Sequence, residues 1–149
     1  MLLGQTIDDE LSAPEVAAVI GALLMVHVQQ NRLLLRRGGI PSLYSSGVRY
    51  QVEPWAGSMQ SLRTCREALR EGWAECKSLS AWLCAEYQER ARDELTARQY
   101  DIHVDWTDKP LDPLNVGLVA QNGIVRIFHA RVLHPNGKIE DPSRRLRQR

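Results

Sequence analysis

The stretch IVRIFHARVLHPNGKIED (124–141) decides the fold of this chain. Residues 124–134 predict one long strand, and Pro135-Asn136-Gly137 supplies the residue types that turn a chain back on itself. Residues 138–141 then predict a short returning strand. The C-terminal part of the sequence is therefore expected to form an antiparallel hairpin, whose side chains alternate between two faces.

The length of the turn decides which side chains share a face of this hairpin. With a three-residue loop, position 131 opposes Asp141, so that His129 becomes a diagonal neighbour of Asp141 on the same face. His134 lies on the other face in that register. With a two-residue Asn136-Gly137 loop, Asp141 moves to the face opposite His129. A His129–Asp141 pair therefore requires the longer loop.

Outside the hairpin, helices come first and strands follow. The spacing of apolar residues predicts helices over 12–37, 58–70 and 76–98. Strands are predicted over 48–52, 102–106 and 116–120, with turns at 109–113 and at Asn122-Gly123. This order predicts an α+β chain rather than an alternating α/β one. We expect a single domain, 1–149, in which 1–39 form an N-terminal helical segment and the helices pack on a C-terminal antiparallel sheet.

Composition excludes several classes of protein. Nineteen Lys and Arg balance eighteen Asp and Glu, for a formal net charge of +1, which argues against a strongly basic nucleic-acid-binding chain. The longest apolar run, 16–26, is shorter than the roughly 18–20 residues that cross a bilayer. Acidic residues precede it, where a signal peptide carries basic ones. A soluble, unprocessed protein is therefore expected.

The three cysteines are not equivalent. They form no Cys-x-x-Cys pair, so neither a metal site nor a cofactor is expected, and their odd number indicates a reducing compartment. Cys65 and Cys84 are expected to be buried apolar residues. Cys76 opens a predicted helix, where backbone N–H groups and the helix dipole lower a thiol's pKa and can stabilise an oxyanion. Tyr50 and Gln51 are candidates for an additional, side-chain oxyanion donor.

A cysteine nucleophile also needs a histidine base and a group that orients that base. The hairpin offers His129 and Asp141 for these two roles. His103, on another predicted strand, is the weaker alternative base. His27 lies on the apolar face of the first predicted helix and is expected to be a core residue.

Three stretches carry a resemblance to a known family: PSLYSSGVRY (41–50), EGWAECKSLSAWLCAEYQ (71–88) and FHARVLHPNGKIEDPSRRL (128–146), the last with a His-x11-Asp-Pro-Ser spacing. In these stretches the chain resembles the transglutaminase-like cysteine domain of tailed-phage proteins, within the papain-like superfamily. The resemblance implies a helix-borne cysteine packed against an antiparallel sheet that carries histidine and aspartate. It assigns Cys76 as nucleophile, His129 as base and Asp141 as orienting carboxylate. The family's turn reads Gly-x-Gly-Asp-Cys, whereas Ala74 and Glu75 precede the cysteine here.

Two functions follow from these residues and from the resemblance. The first is an enzyme, whose Cys-His-Asp triad performs thiol-dependent acyl transfer or amide hydrolysis on a protein or peptide substrate. The alternative is a structural virion component at the neck or head–tail junction, which contacts other virion proteins without turnover. The resemblance implies the host cytoplasm during assembly, or the virion, as location, and no membrane partner. A weaker third hypothesis is nucleic-acid contact through the C-terminal arginines, Arg144, Arg145, Arg147 and Arg149.

Overall fold

The computed structural model describes residues 10–52, 61–110, 118–119 and 124–147. Its helices are α1 (Ala13–Arg36), α2 (Cys65–Glu71), α3 (Cys76–Arg90), α4 (Glu94–Ala97) and α5 (Pro142–Arg147). Its strands are β1 (Arg49–Tyr50), β2 (Trp73–Ala74), β3 (Asp101–Pro110), β4 (Leu118–Val119), β5 (Ile124–Leu133) and β6 (Ile139–Glu140). The described part of the chain is a mixed helix-and-sheet structure, as the order of the predicted elements indicated.

Helix α1 begins at a capping box and ends just before a pair of glycines. The Ser12 hydroxyl accepts a hydrogen bond from the Glu15 N–H at 3.4 Å, and the Glu15 carboxylate accepts one from the Ser12 N–H at 3.1 Å. Gly38, with a φ of 78°, follows the last turn. One face of α1 packs against α3 and β3 and buries Leu24 and Val28. The predicted bounds agree with the structure to within one residue at each end.

Helix α1 is also long and apolar enough, by length and composition alone, to cross a membrane. The apolar run 16–26 did not indicate this, because the helix that qualifies extends well beyond this run. Two polar side chains near the end of α1 are held by the rest of the fold. Asn31 accepts the N–H of Cys65 at 2.9 Å, and Arg32 forms an ion pair with Glu89 at 2.7 Å.

Helix α3 lies at the centre of the fold, with eleven of its fifteen residues buried. It packs against α1 on one side and against β5 on another. Leu79, Trp82 and Leu83 fill the space between these elements, and each is at most 1% exposed. Because α3 is covered on several sides, polar residues on its other faces, such as Ser80, are buried as well.

Two of the helix predictions are corrected by the structure. The single helix predicted over 76–98 is interrupted, since the Asp93 side chain caps α4 as a separate helix. Arg32 stabilises the break by binding Glu89 before it and Glu94 after it, at 2.7 and 2.5 Å. The helix predicted over 58–70 begins only at Cys65. The hydroxyl of the preceding Thr64 caps it by accepting a hydrogen bond from the Glu67 N–H at 3.1 Å. Its first predicted residues, 58–60, lie outside the described residues.

The larger sheet is built around β5. Strand β3 pairs antiparallel with the whole of β5, from Asp101 opposite Leu133 to Pro110 opposite Ile124. The other edge of β5 carries β4 near one end and β6 near the other. Between them the backbone of β5 faces α3, and the Ser80 hydroxyl donates to the Ala130 carbonyl at 2.8 Å. The sheet and helix α3 are thus joined at this edge.

The strand predictions agree with the structure in part. The stretch predicted over 48–52 contains β1, and the one predicted over 124–134 contains β5. The stretch predicted over 102–106 lies within the longer β3. The turn predicted at 109–113 is wrong in its first two residues, which belong to β3 because they pair with β5. Residues 111–113, Asn122-Gly123 and most of the strand predicted over 116–120 lie outside the described residues, apart from β4.

Strand β1 pairs in parallel with β2, an arrangement that the sequence did not predict. Tyr50 lies opposite Ala74, and the Gln51 N–H donates to the Ala74 carbonyl at 3.0 Å. This two-stranded sheet fixes the segment around Tyr50 beside the residues that lead into α3.

Candidate active site

Cys76 is the first residue of α3, as the sequence predicted. The chain reaches it through Gly72, which ends α2 with a φ of 81°, and then through β2. Because Gly72 takes the left-handed conformation while Ala74 lies in a strand, alanine at position 74 is not strained. Cys76 is 9% exposed, whereas Cys65 and Cys84 are fully buried.

Glu75 occupies the N-cap position of α3 but does not cap the helix with its side chain. Its buried carboxylate accepts a hydrogen bond from the Ser78 hydroxyl and forms an ion pair with Arg63 at 3.2 Å. The Arg63 guanidinium lies 3.9 Å from the centroid of the Trp73 ring. The backbone N–H of Arg63 donates to the Ser78 hydroxyl oxygen at 2.8 Å. This network braces the segment that leads into Cys76 and engages the Glu75 carboxylate with Arg63 and with Ser78 in the first turn of α3.

The hairpin has the three-residue loop that a His129–Asp141 pair requires. The pairing of β5 with β6 continues to a hydrogen bond from the His134 N–H to the Lys138 carbonyl at 2.8 Å, and Gly137 in the loop has a φ of 86°. His129 Nε2 lies 2.8 Å from Asp141 Oδ2. The predicted register is confirmed, and the two-residue loop is not used.

Asp141 orients His129 with one oxygen and caps α5 with the other. Its Oδ1 accepts the Ser143 N–H at 3.1 Å, the Ser143 hydroxyl at 2.5 Å and the Arg144 N–H at 3.2 Å. Pro142 takes the first helical position, where its missing N–H costs nothing. Burial acts to raise the pKa of Asp141, but the hydrogen bonds from Ser143, His129 and Arg144 lower it below its ordinary value. The Asp-Pro-Ser sequence thus keeps the carboxylate ionised and fixed in place.

The His129 side chain interacts with the Cys76 thiol as well as with Asp141. A side-chain hydrogen bond joins the two residues, and the Ala130 N–H also donates to the sulfur. Burial acts to raise the pKa of Cys76, but these hydrogen bonds and the charge of Lys77 lower it below its ordinary value. The hydrogen bond with Cys76 raises the pKa of His129 to about 9, against burial and with the help of Asp141. Both shifts favour a thiolate–imidazolium pair at neutral pH.

The other candidate residues are not brought into this arrangement. Burial raises the pKa of Cys65 to about 11 and that of Cys84 to about 12, as expected of buried thiols. His27 is a core residue, with Nε2 2.7 Å from the Arg63 carbonyl oxygen. His103 lies on β3, and within the described residues no hydrogen bond joins it to a thiol.

Tyr50 lies close to the sulfur, and sequence reasoning left its role open. Burial raises the pKa of Tyr50, and the negative charge of Cys76 raises it further. Arg147 acts to lower the pKa of Tyr50. The Arg147 guanidinium lies 4.7 Å from the centroid of the Tyr50 ring, and that of Arg145 lies 3.7 Å from the Tyr44 centroid. Arg145 and Arg147, two of the arginines considered for nucleic-acid contact, therefore stack on tyrosine rings of the same protein.

A second histidine–carboxylate pair lies on the opposite face of the hairpin, and the sequence did not point to it. His134 Nε2 lies 2.8 Å from Glu140 Oε1. Glu140 also accepts hydrogen bonds from the Tyr44 and Tyr87 hydroxyls, at 2.5 and 2.8 Å. The His134 ring packs against Tyr87 and Tyr100, with centroids 4.8 and 5.5 Å apart. This pair is enclosed by tyrosines rather than turned toward a thiol.

The site brings together a thiol at a helix start, a histidine that interacts with it and a carboxylate 2.8 Å from that histidine. Within the described ranges, no group of three or more His, Cys, Asp or Glu is placed to hold a metal ion. The chain matches no protein-family model, no curated protein and no solved structure. Its function is therefore inferred from the chemistry of this site.

Proposed function

We propose that this protein is a cysteine acyltransferase or amidase that uses Cys76, His129 and Asp141 as a catalytic triad. The observation that carries the proposal is the 2.8 Å contact between His129 Nε2 and Asp141 Oδ2, together with the electrostatic coupling of His129 to Cys76 at the start of α3. Chemistry of this kind requires a thiolate, and the lowered pKa of Cys76 beside a protonated His129 favours one.

The architecture that accompanies this chemistry is papain- or transglutaminase-like. Helix α3 carries the cysteine at its start, and the β5–β6 hairpin carries the base and the acid, which supports that assignment. The substrate is an amide of a protein or peptide, and the setting is phage assembly in the host cytoplasm or the virion. These last two points rest on the sequence resemblance.

The reaction begins when the Cys76 thiolate attacks the carbonyl carbon of the substrate amide and the carbonyl electron pair moves onto oxygen. The Cys76 N–H, at the start of α3, donates to this oxyanion. His129 gives its proton to the departing amine, which leaves a thioester on Cys76. Water or a second amine, deprotonated by His129, then attacks the thioester, releases the acyl group and restores the resting pair. Asp141 orients the imidazole and stabilises its charge throughout.

Selective alkylation tests the activated thiol. At pH 7 we expect iodoacetamide to label Cys76 well before Cys65 and Cys84, as resolved by peptide mass spectrometry. Turnover is then assayed with casein as the amide and a fluorescent primary amine as the acceptor, with Cys76→Ser as the matched control. Incorporation of the amine indicates transfer, whereas cleavage or ammonia release alone indicates hydrolysis. Equal labelling of the three cysteines would contradict an activated thiolate.

A second candidate function is a structural virion component. It is favoured by Val26 and Leu33, apolar side chains that α1 exposes at the surface of the described structure. Mass spectrometry of purified virions tests this candidate, which predicts the chain in mature particles at a fixed copy number. Its absence from such particles rules this candidate out.

A further inference from the structure

Arg147 lies over a tyrosine whose strand runs beside the residues that lead to Cys76. It ends α5, the helix that Asp141 caps, and its guanidinium lies over the Tyr50 ring at 4.7 Å from the centroid. Tyr50 pairs with Ala74, two residues before Cys76. Helix α5 packs against β1, so the backbones that carry Arg147 and Tyr50 are held together. Arg147 is exposed and Tyr50 is half-buried beneath it.

Two positive charges act on the Cys76 sulfur, although the whole chain carries a formal charge of only +1. Lys77 follows Cys76 directly and acts on it electrostatically, and His129 is protonated in the resting pair. The nearby carboxylates are already engaged. Asp141 is bound by His129 and by the start of α5, and Glu75 is held in an ion pair of its own. A substrate group that approaches the sulfur therefore meets a positive field.

We propose that Arg147, held against Tyr50, binds a substrate carboxylate close to the scissile carbonyl. A guanidinium has five N–H donors in a fixed fork, which suits a carboxylate, and contact with a ring face leaves donors at its edge for the ligand. The preferred substrate is then an acidic peptide segment, whose carboxylate belongs to an Asp or Glu side chain or to the chain terminus. The inference rests on the proposed function and adds a substrate class to it.

Three chloroacetyl probes test the inference without a known substrate. In each, the Cys76 sulfur displaces chloride from the CH₂ carbon, so the reactive group is the same. Chloroacetyl-Glu-amide carries a side-chain carboxylate, chloroacetyl-Gln with a free terminus carries a terminal one, and chloroacetyl-Gln-amide carries none. We expect one or both anionic probes to label Cys76 about two- to fivefold faster than the neutral probe, which is the size of an exposed charge contact. The faster anionic probe identifies the source of the carboxylate.

Two variants and one control locate the effect. Arg147→Gln should remove the preference for the anionic probe, and Arg147→Lys should keep part of it, since the charge remains. Arg145→Gln is the matched control because it removes the same charge from the same helix, over Tyr44 instead of Tyr50. In 1 M NaCl the preference should fall, because the Debye length is then only about 3 Å.

Equal labelling rates for the three probes in the wild-type protein would overturn the inference, as would a preference that survives in Arg147→Gln. Both results leave the proposed function standing if iodoacetamide still selects Cys76. If neither iodoacetamide nor any probe selects Cys76 over Cys65 and Cys84, the proposed function fails and this inference fails with it.

Discussion

Two histidine–carboxylate pairs lie on one hairpin, and they differ in what surrounds them. His129 faces Asp141 and His134 faces Glu140, each with Nε2 at 2.8 Å from a carboxylate oxygen. The two pairs point to opposite faces because their residues differ in parity along the strands. The His129 side chain is 35% exposed, and the His134 side chain is 16% exposed.

The difference between the pairs lies in their further partners, a thiol for one pair and tyrosines for the other. The ring of His129 also reaches the Cys76 thiol, and a hydrogen bond to that thiol is the largest cause of its raised pKa. The ring of His134 is instead packed against tyrosines, and two tyrosine hydroxyls donate to Glu140. We interpret the first pair as reactive and the second as the anchor that holds β6, and with it Asp141, in register.

The largest expected effect separates the two histidines. His129→Ala should slow alkylation of Cys76 by iodoacetamide at pH 7 by at least about tenfold, because the thiol loses the partner that lowers its pKa and one pKa unit is a tenfold change in thiolate. His134→Ala should leave that rate close to the wild-type value and lower the free energy of unfolding in urea. A similar loss of reactivity in both variants would show that the hairpin, and not the His129 ring, controls the thiol.

The pH dependence of labelling sharpens the same comparison. The pKa of Cys76 lies below its ordinary value and that of His129 is about 9, so labelling of Cys76 should begin to rise well below pH 9. The sign follows from the pair, because protonated His129 stabilises the thiolate until the imidazolium itself loses its proton. In His129→Ala the rise should move to higher pH, and in His134→Ala it should not move. A wild-type profile that rises only at pH 9 or above would contradict the ion pair.

The reactive pair could be predicted from the sequence because its determinants are local. Alternation along two strands and a turn of known residue types fix the relation between positions twelve residues apart. Cys76 could be placed at a helix start for a similar reason, since Gly72 and the following apolar spacing mark one helix end and the next beginning. The capping role of Asp141 is equally local and explains why Pro142 and Ser143 follow it.

The anchoring pair could not be predicted, because its partners come from distant parts of the chain. Glu140 receives its hydrogen bonds from Tyr87 and Tyr44, 53 and 96 residues away in sequence. The break after α3 has the same origin, since Arg32 of α1 binds carboxylates on both sides of it. The place of Arg147 and Tyr50 beside the residues that lead to Cys76 depends on the parallel pairing of β1 with β2, which the pattern of apolar residues does not predict.

Substitution of the two carboxylates should separate reactivity from stability. Asp141→Asn should slow labelling of Cys76 severalfold, because the imidazolium loses its counter-charge, while the free energy of unfolding changes by less than about 1 kcal/mol, since Asn is as good an N-cap as Asp. Glu140→Gln should lower the free energy of unfolding by about 1–3 kcal/mol, because three charge-assisted hydrogen bonds weaken, with little change in labelling. If Glu140→Gln slowed labelling as much as Asp141→Asn did, the two pairs would act as one unit.

The smallest effect tests the turn that places both pairs. Gly137 has a φ of 86° and open space around it, so Gly137→Ala meets no clash and should cost about 1 kcal/mol through backbone strain alone. Gly21→Ala is the matched control, because Gly21 lies within α1 and its added Cβ would meet Val104 at an ordinary 3.9 Å. That control should raise the free energy of unfolding by about 0.5–1 kcal/mol, the opposite sign. Because Gly137 sets the register of His129 and His134 together, its substitution should weaken both histidine–carboxylate pairs. A loss confined to one pair would mean that Glu140 and its tyrosines hold the register without the turn.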